Sequence, residues 1–91
     1  MIGPETSLSL DPRVRFRRFE DEAIVVNQKT AEALVVSAVG TRLLEVIDGN
    51  RTLAECAVLL SEEFDAPAER IEQDLLHFAG ELVEAGVATV S

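Results

Sequence analysis

The sequence predicts a small α+β domain in which a three-stranded antiparallel sheet is followed by three α-helices. Three short apolar runs lie at hairpin spacing within residues 13–36. Only antiparallel strands can be joined this closely, because a parallel crossover needs about a dozen or more residues. After Ser37 the spacing of apolar residues changes from two to about 3.6, which indicates helices. Residues 47–52 then carry the signals that end one helix and begin the next.

The first twelve residues are polar and contain Pro4 and Pro12. We therefore expect a flexible N-terminal segment over residues 1–12 and one folded domain over residues 13–91. The first strand is predicted at residues 14–17, where apolar and basic side chains alternate. This alternation is typical of a strand with one buried face.

Two further strands are predicted at residues 23–26 and 33–36, because both runs are apolar. The acidic residues 20–22 and the polar residues 27–32 separate the strands and provide the turns. The last apolar run, residues 87–90, is expected to be extended, either as a short terminal strand or as packed coil.

Three helices account for the rest of the chain. The first is predicted at residues 38–47, the second at residues 53–63, and the third from Pro67 to just before Gly86. Proline is tolerated in the first turn of a helix, and glycine favours its end.

The junction between the first two helices carries clear local signals. Gly49 can adopt the left-handed conformation that ends a helix without steric cost. Thr52 and Glu55 have the T-x-x-E spacing of a capping box at the start of the next helix. A corner this tight fixes how the flanking elements pack.

The charge of the chain argues against a nucleic-acid partner. The formal net charge is −9, and residues 53–91 contain nine acidic residues and one basic residue, Arg70. Phosphate contacts from Lys and Arg supply most non-specific affinity for nucleic acids. No apolar run is long enough to span a bilayer, and the N-terminus lacks the features of a signal peptide. We therefore expect a cytoplasmic protein without a membrane partner.

Side chains that could carry chemistry are few. His77 is the only histidine and Cys56 the only cysteine, so one chain cannot supply a His/Cys metal cluster. Cys56 lies on the apolar stripe of the second helix, where a buried thiol is expected. His77 lies on the polar face of the third helix, where a solvated imidazole is expected. We predict no catalytic residue, no metal and no cofactor.

The third strand is the first feature that suggests binding. Residues 34–36 are apolar and lack the charges that usually guard a sheet edge. The strand either offers its edge to another extended chain or is covered on both faces as part of the core.

The third helix is the second such feature, because its apolar arc of about 160° is wider than the ~100° that a core-facing helix needs. The extra flank either packs on neighbouring elements or forms a groove with the third strand. The central stripe of the arc consists of Ile71, Leu75, Phe78 and Leu82, and the flank of Glu72, Leu76, Ala79 and Val83.

Half of the basic residues lie within six positions, at Arg13, Arg15, Arg17 and Arg18. Alternation places Arg15 and Arg17 on the face opposite the apolar residues of the first strand. They either offset the acidic helices or contact an acidic peptide or partner protein.

Residues 8–90 resemble the PqqD-like proteins, a family named after pyrroloquinoline quinone biosynthesis. The resemblance rests on the order of strands and helices and on the segments at residues 23–26 and 47–52. It also rests on the later pattern Ile71-x-x-Asp74-Leu75-x-x-Phe78-x-x-x-Leu82.

The resemblance implies a winged-helix-like domain without catalytic residues. Members of the family capture the leader segment of a ribosomally made precursor peptide. They deliver it to a modifying enzyme such as a radical SAM enzyme, a cyclodehydratase or a leader peptidase. The leader is added as a β-strand antiparallel to the third strand, with apolar side chains against the third helix. The implied peptide-binding residues are Ala33, Leu34, Val35, Val36, Ser37, Glu72, Leu75, Leu76, Ala79 and Val83.

Two other functions stay open at this point. The tight helical corner also suits a winged-helix DNA-binding regulator, although Arg70 and Gln73 are the only side chains of the third helix suited to reading bases. The exposed strand edge also suits a structural subunit of a biosynthetic complex, or a homodimer formed by edge pairing.

Overall fold

The computed structural model describes residues 2–91. In chain order the elements are β1 (Leu8–Leu10), β2 (Val14–Phe19), β3 (Glu22–Asn27), β4 (Glu32–Val36), α1 (Ala38–Val46), α2 (Leu53–Phe64), α3 (Ala68–Glu84) and β5 (Ala88–Val90). The predicted α+β class is confirmed, since β2, β3 and β4 form an antiparallel sheet that precedes the three helices. No helix within residues 2–91 is both long and apolar enough to cross a membrane.

The central strand β3 divides the sheet into two faces. Ala23, Val25 and Asn27 are buried, whereas Ile24 and Val26 are exposed. Successive side chains of a strand point to opposite faces. The sheet therefore has an inner face packed against the helices and an outer face in solvent.

The strand register assigns the neighbouring strands to these two faces. Phe16 and Leu34 lie opposite the buried Val25 and therefore belong to the inner face. Arg17 and Val35 lie opposite the preceding residue of β3 and belong to the outer face.

β1 and β5 form a separate two-stranded ribbon. The structure thus differs from the flexible segment expected over residues 1–12, because residues 8–10 form a strand and Leu8 is fully buried. A strand of three residues is too short to show a recognisable alternation of apolar and polar side chains. The strand that pairs with β1, β5, also lies at the other end of the chain. Met1, the first residue of the expected segment, lies outside the described residues.

The junction between α1 and α2 contains the predicted capping box. The Thr52 N–H donates to Glu55 Oε1 over 2.9 Å, and the Glu55 N–H donates to Thr52 Oγ1 over 3.1 Å. α1 ends at Val46, so Gly49, with φ of +84°, lies in the following turn and not at the helix end itself. The Gly49 N–H donates to the Leu8 carbonyl over 2.9 Å and thereby ties the ribbon to the helices.

The three helices pack apolar side chains into the core, although Phe78 of the predicted α3 stripe is only partly buried, and the first turn of α1 contacts α3 at Gly40. A Cβ atom at Gly40 would lie 2.7 Å from Cζ of Phe78, so a glycine allows this ring to pack against the first turn of α1. The buried apolar residues of the helices are Leu43, Leu44, Leu53, Cys56, Ala57, Leu60, Ile71, Leu75, Ala79 and Leu82.

The Gly40–Phe78 contact predicts that Gly40→Ala lowers the free energy of unfolding by about 1–2 kcal/mol, because the ring must move away from the new methyl group. Urea denaturation followed by circular dichroism measures this change. Gly80→Ala is the matched control, since Gly80 is also helical and a Cβ there would have no atom within 4 Å. We expect the control to raise stability by up to ~1 kcal/mol. Equal effects of the two substitutions would contradict the close packing.

The turn between β1 and β2 predicts an unusually acidic carboxyl group. Asp11 accepts hydrogen bonds from the N–H, Nε and Nη2 of Arg13 at 2.8, 3.0 and 3.0 Å. The side-chain hydrogen bond of Arg13, with its backbone N–H next, lowers the pKa of Asp11 from 3.8 to about 2. A lowered pKa in the folded state stabilises the fold above the unfolded pKa, and this contribution is lost as the pH falls from about 4 to about 2.

An NMR titration of the side-chain carboxyl carbon should therefore give a pKa of about 2 for Asp11. Arg13→Gln should return this pKa towards 3.8. The stability difference between the wild type and Asp11→Asn should vanish over the same pH interval. A pKa near 3.8 in the wild type would show that the Arg13 contact does not persist in solution.

Candidate functional site

β4 is an edge strand with no charged side chain after its first residue, Glu32. The strand order β2-β3-β4 leaves β2 and β4 with one unpaired side each. β2 carries Arg15, Arg17 and Arg18, and such charges discourage pairing with another strand. Residues 33–36 of β4 are uncharged. Of the two edges of this sheet, that of β4 is therefore better suited to accept an extended chain.

The backbone groups that β4 leaves free can be identified from the hydrogen-bond pattern. The Gln28 N–H donates to the Arg13 carbonyl over 3.1 Å, so the even-numbered residues of β3 bond to β2. Hydrogen bonding alternates along an antiparallel strand, so the odd-numbered residues of β3 bond to β4. Their partners are the even-numbered residues of β4. Ala33 and Val35 consequently direct both N–H and C=O towards the free edge.

The inner face of β4 is incompletely covered. Leu34 lies on this face but remains 37% exposed, whereas Val36 on the same face is only 5% exposed. Leu34 is therefore an apolar side chain on the core side of an edge strand that an added peptide could contact. Ala33 and Val35 point to the outer face and do not contribute side chains to the inner face.

Two hollows lie beside α3, one near each end of β4. The first, of about 320 Å³, lies at the C-terminal end of β4 and is lined by Ser37, Val39, Gly40, Asp74, His77 and Phe78. The second, of about 630 Å³, lies at the N-terminal end of β4, where Glu32 and Lys29 share it with Val83 and Glu84. β4 and α3 therefore run in opposite directions. We call the space between them, bounded by these two hollows, the β4–α3 groove.

Asn27 lines the second hollow and forms hydrogen bonds on both of its sides. This buried side chain donates from Nδ2 to the Gly86 carbonyl over 3.3 Å and accepts at Oδ1 from the Lys29 N–H over 3.0 Å. Both polar ends of its amide are therefore satisfied. The bonds tie the β3–β4 turn to the end of α3 and set the separation of strand and helix at this end of the groove.

The predicted strand residues differ in their exposure to solvent. Ala33, Leu34, Val35 and Ser37 are exposed, whereas Val36 is buried. All of them lie on β4 or directly after it. Ser37 also caps α1, because its side chain accepts a hydrogen bond from the Gly40 N–H over 3.3 Å.

The predicted helix residues are not brought together on one side of the groove. Leu75 and Ala79 are fully buried in the core, and only Val83 lines one of the two hollows. Glu72 and Leu76 are partly exposed but, among the described residues, line neither hollow.

Three α3 residues outside the predicted set face the residues that follow β4. Asp74, His77 and Phe78 line the first hollow. Residues two positions apart on a helix lie about 160° from each other, so Asp74 and Leu76 lie on opposite flanks of the apolar stripe. His77 is exposed as expected and its Nε2 lies 3.0 Å from Glu81 Oε1. A helical pattern does not indicate which flank meets the first turn of α1, and the Gly40–Phe78 contact that shows it is tertiary.

Comparison with known proteins gives relatives along nearly the whole chain. The family described as "Coenzyme PQQ synthesis protein D (PqqD)" matches residues 22–88. A PqqA binding protein of Gluconobacter oxydans (strain 621H) is 34% identical over 85 residues, which cover 93% of this chain and 86% of that protein. A PqqA binding protein of Rhizobium meliloti (strain 1021) is 36% identical over 50 residues, or 55% of this chain and 51% of that protein.

Solved structures share the same fold. The PqqD truncation of Methylobacterium extorquens PqqCD, described as a functional and stand-alone RiPP recognition element, matches with a TM-score of 0.83 at 21% identity, covering 98% of this chain and 95% of that one. TbiB1 in complex with the TbiA(beta) leader peptide matches with a TM-score of 0.76 at 19% identity, covering 87% and 92%. The fold, the family match and the relative that spans most of both chains agree. This chain belongs to the PqqD family.

Proposed function

We propose that this protein is a peptide-binding adaptor that captures the leader segment of a ribosomally made precursor peptide and presents it to a modifying enzyme. The observation that carries the proposal is the free edge of β4. Ala33 and Val35 offer unpaired backbone groups there, next to the partly exposed Leu34 on the inner face. The names of the relatives support the same role, since both are PqqA binding proteins. TbiB1, which shares the fold, was solved with a leader peptide.

The leader would pair antiparallel with β4, as an added strand. It would then enter the groove near Ser37 and leave it near Glu32. Two residues of β4, Ala33 and Val35, would exchange backbone hydrogen bonds with it. Alternate side chains of the leader would point into the groove against Leu34 and Phe78, where burial of apolar surface supplies affinity.

Two groups of residues are assigned to this site. The strand residues Ala33, Leu34, Val35 and Ser37 and the helix residues Asp74, His77, Phe78 and Val83 are proposed to contact the peptide. Buried residues are proposed to support the groove from beneath without touching the peptide, namely Val36, Leu75 and Ala79.

We further propose that the protein itself is not a catalyst and that the chemistry belongs to its partner, such as a radical SAM enzyme, a cyclodehydratase or a leader peptidase. Within residues 2–91, no three His, Cys, Asp or Glu side chains are grouped so that they could hold a metal ion. Burial raises the pKa of the Cys56 thiol, which disfavours the thiolate that a nucleophile needs.

Pairing at the β4 edge predicts that Val35→Pro weakens leader binding at least tenfold, because the substitution removes the free N–H and places a ring at the edge. Proline is tolerated in an edge strand where the N–H faces solvent, so the fold should persist by circular dichroism. Fluorescence polarisation with a labelled synthetic leader, taken from the precursor encoded beside the gene, measures the affinity. Val35→Thr keeps the N–H and is the matched control. Equal affinity of the two variants would exclude strand addition at this edge.

Groove binding predicts that Leu34→Glu lowers the leader affinity at least tenfold, because it places a charge where apolar side chains of the leader would pack. The same titration measures this loss. Val58→Glu is the control, since Val58 is also an exposed apolar residue and lies on α2, outside both hollows. We expect the control to stay within twofold of the wild type. A comparable loss in both variants would point to net charge and not to the groove.

A further inference from the structure

The outer face of the β2-β3-β4 sheet is apolar although it is open to solvent. Phe19, Ile24, Val26 and Val35 lie on it and are 52%, 37%, 36% and 71% exposed. An antiparallel sheet that packs one face on a core normally presents polar side chains on the other. A contiguous exposed apolar surface of this kind is typical of an interaction site.

A shallow hollow occupies the β2 side of this face. It has a volume of about 240 Å³ and is lined by Arg15, Phe16, Arg17, Phe19, Ile24 and Val26. Phe16 points to the inner face, so the outer-face side chains of Phe19, Ile24 and Val26 form the apolar part of the hollow, with Arg15 and Arg17 beside them. Aromatic residues and arginine are enriched at protein–protein interfaces, whereas acidic residues are depleted there.

The two arginines are available to an acidic partner. Arg15 Nη1 donates to the backbone carbonyls of Pro12 and Val14, over 2.9 and 3.0 Å, and neither Arg15 nor Arg17 forms an ion pair within residues 2–91. By contrast, Arg18 is paired with a carboxylate. In a chain of net charge −9, a face with two unpaired arginines is complementary to carboxylates on another surface.

We propose that the outer face docks the peptide-modifying enzyme through an apolar surface that is bordered by carboxylates. This proposal rests on the adaptor function and names the surface that delivers the captured peptide. The face lies on the opposite side of the sheet from the β4–α3 groove, so one domain can hold the leader and the enzyme together.

A second copy of this chain fits the outer face poorly. Two such faces packed against each other would bring four arginines into one interface, with Glu22 as the only outer-face carboxylate of the three strands. The net charge of −9 on each copy adds further repulsion. The charges therefore favour an enzyme surface over self-association.

The test uses Ile24→Thr and Arg17→Glu with the modifying enzyme encoded beside the gene. Surface plasmon resonance measures enzyme binding, and fluorescence polarisation measures leader binding by the same variants. We expect each variant to bind the enzyme at least tenfold more weakly and the leader within twofold of the wild type. Arg70→Glu makes the same charge change on α3 and should keep both affinities. Wild-type enzyme binding should also weaken as the salt concentration rises.

Several results would overturn the docking proposal. One is that both Ile24→Thr and Arg17→Glu bind the enzyme as tightly as the wild type does. Another is that the wild type does not bind the enzyme. A wild-type dimer in sedimentation velocity that Ile24→Thr dissociates would assign the face to a second copy. A wild type that binds the enzyme through this face but not the leader would instead refute the adaptor function and leave the docking surface standing.

Discussion

The candidate site depends on one constraint in β4: side chains and backbone hydrogen-bonding groups both alternate with a period of two. The backbone of Leu34 pairs with the buried Val25 of β3, so the Leu34 side chain lies on the inner face. Val35 is free at the edge and therefore points its side chain to the outer face. One strand thus supplies the groove wall, the free backbone edge and part of the outer face. A register shift of one residue would exchange these roles and expose the core side chains.

α3 is tied to neighbouring elements near both ends of the β4–α3 groove. At one end the Phe78 ring packs on Gly40, where no larger residue fits without movement of the ring. At the other end Asn27 bonds to the carbonyl of Gly86. Between these two contacts the inner face of β4 stays partly open at Leu34. The proposed binding site therefore lies between these two contacts.

The sequence located the strand of the candidate site but left its surroundings open. The uncharged apolar run at residues 33–36 suited either an open edge or a covered core strand, and the strand order places it at an edge. On α3, the pattern identified the apolar stripe and one wider flank, with Leu76 and Val83. Val83 of this flank lines the hollow shared with Glu32, and Asp74 of the opposite flank lines the hollow shared with Ser37. Two of the predicted helix residues, Leu75 and Ala79, proved to be core.

The sequence by itself determined the order of β2, β3, β4 and the three helices, the Thr52–Glu55 capping box and the acidic net charge. These features depend on residues that are neighbours in the chain, so periodicity and spacing reveal them. Only the tertiary structure decided that β1 pairs with β5, that β4 lies at an edge, and that Phe78 of α3 packs on Gly40 of α1. Those outcomes depend on contacts between distant segments, and the local pattern of one sequence does not specify which segments meet.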